Sequence, residues 1–196
     1  MRLAINILLG LVVLGLSWLL IGSIQEPIAF KEEKDKREKA VEEKLKTIRT
    51  AQEAYRGITG EYTSHCDSLL MVLKSGEFKI VKVIGDPDDP SNLDLVRYDT
   101  IRKNALDSLA NAGLSLATLE NMCTVPYSDG VQFEMTADTL TYQKTLVNVI
   151  EVGILRKHFM GDYASPKYKK YDDKYDPYSR MKFGSLESPN LGGNWE

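Results

Sequence analysis

The sequence predicts an α+β fold: an N-terminal transmembrane helix running into a long amphipathic helix that packs on a small antiparallel sheet. Three observations predict it. Residues 3–25, LAINILLGLVVLGLSWLLIGSIQ, carry no charge. Residues 41–58 place Val41, Leu45, Ile48, Ala51, Tyr55 and Ile58 at three- and four-residue steps, the spacing of one helical face. Segments farther along alternate apolar and polar side chains, as half-buried strands do.

The apolar run comes first. A helix over 3–25 is just over roughly 30 Å long, enough for a bilayer core. Asn6 and Ser17 are its polar intrusions, and Trp18 stands toward its far end, where amphipathic rings favour the interface. A cleaved signal peptide would have a shorter apolar region and a small-x-small site; SIQEP offers none, and the run reads as an uncleaved signal-anchor over residues 1–25. Arg2 and the terminal amine favour a cytoplasmic N-terminus. Lys31, Lys34, Lys36, Arg37 and Lys39 oppose that on the positive-inside count, so charge alone leaves orientation open.

Residues 26–44 read as a charged helical stalk. Pro27 is placed to kink or interrupt the helix where it leaves the bilayer. Glu32–Lys36, Glu33–Arg37, Asp35–Lys39 and Glu42–Lys46 are acid-before-base pairs at i,i+4, each adding about 0.2–0.5 kcal/mol to a solvated helix. The stripe from Val41 onward packs either on the chain's own sheet or on a second copy. Gly57 and Gly60 end the helix, because glycine supplies the left-handed cap.

Residues 45–160 are expected to form one α+β domain. A short helix is predicted over 66–74. Residues 78–85, 93–98, 131–138 and 145–155 read as strands, with 140–142 as a continuation or partner. The stretch 101–122 holds two short helical patterns broken at Gly113. Residues 86–92 and 127–130 are turns by their Asp, Pro and Gly content. The remaining segment, 161–196, shows no sustained period and carries five of the ten tyrosines, so it reads as a Tyr-rich C-terminal arm.

Composition narrows function. A net charge of −3 gives no electrostatic case for nucleic acid. No G-x-S-x-G, H-E-x-x-H, P-loop or G-x-G-x-x-G occurs, and no catalytic or cofactor-binding residue is assigned. A Cys/His nucleophile would require Cys66 or Cys123 to face His65 or His158; the competing reading is a structural cysteine beside a surface histidine. The two cysteines are either a disulfide, closing a loop of nearly sixty residues, or two buried thiols. Asp86, Asp88, Asp89 and Asp94 form an acidic loop without EF-hand spacing. Asp172, Asp173 and Asp176 are the better candidate Ca²⁺ ligands. Val41, Leu45, Ile48 and Tyr55 on the helix, with Tyr168, Tyr171 and Tyr175 on the arm, are the candidate interface residues, since tyrosine covers area with few rotamers to freeze.

IRTAQEAYRGITGEYTSHCDSL resembles the passage from helix to loop in type IV pilins and type II secretion pseudopilins, carried here by Ile48, Ala51, Tyr55, Gly60, Tyr62 and Leu69. The resemblance covers roughly residues 41–70. It implies a pilin-like fold in which Tyr55, Gly57, Gly60 and Tyr62 form a structural joint between helix and sheet. It also implies calcium near the C-terminal loop. The pilin cleavage pattern is not present: five residues after Gly10 and Gly22 stand Gly15 and Pro27 rather than Glu.

More globally, the order of anchor, charged segment, KTIRTAQEAYRGITGEYT, VPYSDGVQFEMTAD and MKFGSL is similar to uncharacterised single-pass proteins of Bacteroidota envelopes. That similarity implies an inner-membrane anchor with a periplasmic domain. The expected function is a non-enzymatic subunit or scaffold of a secretion- or pilus-type envelope assembly, touching the bilayer through 3–25 and either other envelope proteins or itself. The alternative is a periplasmic module that binds a glycan or Ca²⁺ on the Tyr/Asp-rich arm.

Overall fold

A computed structural model of the protein describes residues 2–84 and 97–196. The acidic loop Asp86–Asp94 and residues 93–96 of the predicted second strand lie outside the described residues.

Helix α1 spans Arg2–Thr59 without a break. Pro27 therefore neither ends nor divides it, a correction to the reading from sequence. A proline blocks one backbone hydrogen bond, and the 58-residue helix absorbs that loss. The N-terminal third is long and apolar enough to cross a membrane, and its most apolar window has no buried residue. The C-terminal half is the spine of the domain. Val41, Leu45, Ile48 and Ala51 are fully buried, while Tyr55 and Ile58 are half-buried against the same core.

Of the expected i,i+4 pairs on α1, Glu33–Arg37 and Glu42–Lys46 close at 2.7 and 2.5 Å. Glu32–Lys36 and Asp35–Lys39 form no ion pair among the described residues. Lys36 meets Glu33 instead, at 3.4 Å.

Helix α2 (Cys66–Ser75) leads to strand β1 (Glu77–Ile84), which pairs antiparallel with β2 (Arg97–Asn104). β2 takes residues 101–104, which the sequence reading gave to a helix. The helical pattern begins at α3 (Ala105–Asn111), where the Asn104 side chain accepts from the Leu106 N–H. After α4 (Leu116–Glu120) come β3 (Glu134–Tyr142), β4 (Thr145–Leu155) and β5 (Arg180–Gly184).

Among the described residues the strands form two sheets rather than one: the β1–β2 ribbon and a three-stranded antiparallel sheet ordered β3–β4–β5. The β3–β4 hairpin turns on Gln143 and Lys144, both at positive φ. Positive φ at both central positions is the type I′ turn, whose twist matches that of the paired strands.

The fold class is α+β as expected, but the arm is not a free extension. Short 3₁₀ turns at Arg156–His158, Gly161–Tyr163 and Pro166–Lys170 fold it back along α1, and β5 adds it to the sheet. Tyr168, Tyr175, Met181 and Phe183 are buried in the same cluster as Val41 and Leu45. Stalk 26–44 and arm 161–196 are thus packed on each other.

Candidate functional site

Two constructions tie the elements together. The first is the joint at the end of α1. Gly60 has φ +88°, and its N–H donates to the Arg56 carbonyl at 2.8 Å, which is the left-handed cap expected from the sequence. Its own carbonyl accepts from the Asn148 amide on β4, also at 2.8 Å.

Gly57 has a different role. The helix continues through it, and a Cβ there would stand 3.0 Å from the Phe78 ring. It admits β1 rather than turning the chain. Tyr62 receives Arg56 over its ring at 5.2 Å and a guanidinium hydrogen bond at 3.1 Å. Tyr55 packs half-buried on the core.

Gln52, one turn earlier, was not singled out from sequence. It is fully buried, and its amide clamps Thr63 from both sides: Nε2 donates to the Thr63 carbonyl at 2.8 Å and Oε1 accepts the Thr63 N–H at 3.2 Å. Only its place on the apolar face, beside Ala51, could have pointed to it.

The second construction is a clasp between the arm and the start of the domain. Phe30 is buried and stands at its centre. Its ring stacks on Tyr168 at 5.1 Å, meets Tyr175 edge-on at 5.0 Å, and has Tyr163 and Tyr171 at 5.7 and 6.1 Å. Aromatic pairs at such separations contribute about 0.5–1.5 kcal/mol beyond area burial. The Tyr175 hydroxyl donates to the Tyr163 carbonyl at 2.6 Å, and burial pushes its pKa up to about 12.

Polar bonds surround the ring cluster. Lys34 donates to Asp172 at 2.6 Å, holding that carboxyl below its ordinary range. Arg37 donates to the Phe159 carbonyl at 2.7 Å and lies over the Tyr127 ring. Arg156 donates to Glu38 at 2.7 Å. At the end next to the apolar part of α1 the Tyr171 hydroxyl donates to Glu26, and Lys170 stands 3.6 Å from the same carboxylate. The Tyr171 hydrogen bond, assisted by Lys170, lowers the Glu26 pKa. Between α1 and the arm a cleft of about 470 Å³ remains, lined by Pro27, Ile28, Phe30, Lys31, Lys34, Asp35, Tyr171 and Asp172.

These contacts correct several expectations. Val41, Leu45, Ile48, Tyr168 and Tyr175 are buried by their own chain and are not available to a partner; Tyr55 and Tyr171 are half-buried. Asp172, Asp173 and Asp176 do not come together as ligands, and no group of three or more His, Cys, Asp or Glu is arranged for a metal among the described residues. Asp172 serves Lys34 and the Lys174 N–H, while Asp176 caps the Tyr178 N–H. Turn-forming aspartates and calcium ligands have the same composition, and the local hydrogen bonds take these for the turns. Cys66 and Cys123 are joined in a disulfide with Cα atoms 6.4 Å apart, so neither supplies a thiol to His65 or His158.

No protein-family model, curated protein or solved structure matches this chain. Its architecture, a long helix with an apolar N-terminal part and small antiparallel sheets, is loosely compatible with a pilin-like design.

Proposed function

We propose that this chain is a non-enzymatic, single-pass protein of a bacterial inner membrane, with its folded domain in the periplasm. There it serves as a pilin- or pseudopilin-like subunit or scaffold of a secretion- or pilus-type envelope assembly. The observation that carries this reading is α1 itself. One continuous helix exposes an apolar third and then buries one face as the spine of an α+β domain. Such a helix couples a membrane element rigidly to a soluble surface. The disulfide supports an oxidising compartment.

Because the Val41–Leu45–Ile48 face is occupied by the chain's own core, assembly contacts in this reading fall on the apolar third of α1 and on the outer surface of the domain. The glycan- or Ca²⁺-binding alternative draws less support, since Tyr168 and Tyr175 are buried, Asp172 is held by Lys34 of α1 and Asp176 by the Tyr178 N–H.

Extraction of the full-length protein in mild detergent, followed by light scattering, tests the proposal. A protein mass well above one 22.1 kDa chain, from self-association or a stoichiometric envelope partner, is expected. A lone chain with no partner at every protein concentration would overturn it.

A further inference from the structure

The clasp leaves a cleft at the level where α1 leaves the bilayer. We infer that this cleft and the lysine-rich rim of the arm bind the phosphate headgroup of an anionic phospholipid from the membrane in which α1 is anchored.

Position is the first argument. The charge-free run ends at Gln25. At about 1.5 Å per residue, Pro27 to Lys34 lie roughly 3–14 Å beyond it. The headgroup layer on each side is roughly 5–8 Å deep, so the lower half of the cleft falls within it. The arm is held at the same height, because Lys170 and Tyr171 both contact Glu26, the first residue after the run.

Lining is the second argument. Pro27, Ile28 and Phe30 give an apolar floor next to the span, and Lys31 and Lys34 stand farther from it. That gradient matches a phospholipid, with glycerol and upper acyl chain below and phosphate above.

Charge is the third. Residues 163–171 carry Lys167, Lys169 and Lys170 and no acid. Lys34 and Lys170 are committed to Asp172 and Glu26. Within the lining, exposed Lys31 and Asp35 each enter no ion pair among the described residues and offset one another. On the adjoining arm, exposed Lys167 and Lys169 beside Lys170 likewise enter none, with the exposed Asp162 and Asp173 lying outside that stretch. Basic residues next to a span attract anionic lipid within a Debye length of the surface. The inference holds for either face of the membrane and does not rest on the proposed assembly role.

The test uses the full-length protein in nanodiscs containing equal amounts of phosphatidylcholine and phosphatidylglycerol. Lipid retained after gentle detergent release is counted by native mass spectrometry. The wild type is expected to retain phosphatidylglycerol over phosphatidylcholine by about fivefold or more. Replacing Lys31, Lys167 and Lys169 together by Gln brings the ratio near parity, whereas replacing Lys79, Lys82 and Lys103 on the β1–β2 ribbon by Gln leaves it unchanged.

Parity in the wild type, or equal loss in both triple variants, would overturn the inference. So would displacement of the retained lipid by millimolar inorganic phosphate, which would assign the site to a soluble anion. Should the clasp triple variant fail to form its disulfide, Lys31→Gln alone decides: a loss of about twofold supports the inference, and no loss overturns it.

Discussion

Lys34 Nζ lies 2.6 Å from the Asp172 carboxylate across 138 residues of sequence. This contact converts a charged stretch of helix and a tyrosine-rich tail into one structure. Around it Phe30 gathers Tyr163, Tyr168, Tyr171 and Tyr175, and the arm becomes a clasp on α1 just beyond its apolar part.

Phe30→Ala is expected to destabilise the domain by about 3–5 kcal/mol, as removal of a buried aromatic ring does. Because the rings facing Phe30 belong to the arm, the loss should also expose residues 161–178 to protease. Urea denaturation and limited proteolysis check both effects, with Tyr178→Phe, an exposed arm residue, as the unaffected control.

The clasp carries an acid-side pH dependence at its two carboxylates and an alkaline one at Tyr175. Lys34 depresses the Asp172 pKa, and Tyr171 with Lys170 depresses that of Glu26. A carboxylate with a depressed folded-state pKa contributes stability above its unfolded value of about 4, lost as pH falls through the folded value. Docking of the arm should therefore be flat from neutral pH to about pH 5 and weaken below about pH 4. Near-UV circular dichroism of the tyrosines reads this, and Asp172→Asn should reduce the acid-sensitive component.

Tyr175 acts in the other direction. Its folded pKa is raised to about 12, so its contribution is complete below the unfolded value of about 10 and falls away as pH rises toward 12. Phenolate absorbance should show a late-titrating tyrosine in the folded protein. Tyr175→Phe should remove that late phase and leave the main one.

Gln52→Leu keeps the volume but strips both hydrogen bonds from the buried Thr63 backbone. The expected cost is about 2–3 kcal/mol, because a buried donor and acceptor lose their partners together. Gln52→Glu can replace both bonds only as the neutral acid, whose O–H donates to the Thr63 carbonyl. Ionised, it would bury a charge against that carbonyl, so its cost should be small in acid and exceed that of Gln52→Leu at neutral pH.

The Cys66–Cys123 disulfide spans a sequence separation of 57. On the chain-entropy account its removal costs about 4 kcal/mol. Replacing both cysteines by Ser should lower the denaturant midpoint accordingly, and reduction of the wild type should give a similar shift.

Much of this architecture was legible in the chain. The apolar run, the Val41–Leu45–Ile48–Ala51 stripe and the Gly60 cap each depend on a local period or on one residue's conformational freedom, which a sequence displays directly. The clasp was not legible. Phe30 is one apolar residue among charges, and its tyrosine partners lie more than 130 residues away, so no local period connects them. The β3–β4 turn was hidden for another reason: Gln143 and Lys144 adopt positive φ without the Asn or Gly that usually marks it. Composition also misled at Asp172 and Asp176, where carboxylates suited to calcium serve turns and a lysine.

The central claim, a domain held against the outer face of an inner membrane, is most directly tested by its topology in living cells. An alkaline phosphatase fused after Glu196 reports the compartment, and thiol trapping of Cys66 and Cys123 in the same cells reports its redox state. The account predicts an active phosphatase and cysteines that react with alkylating agents only after reduction. An inactive phosphatase together with two freely alkylated thiols would contradict it.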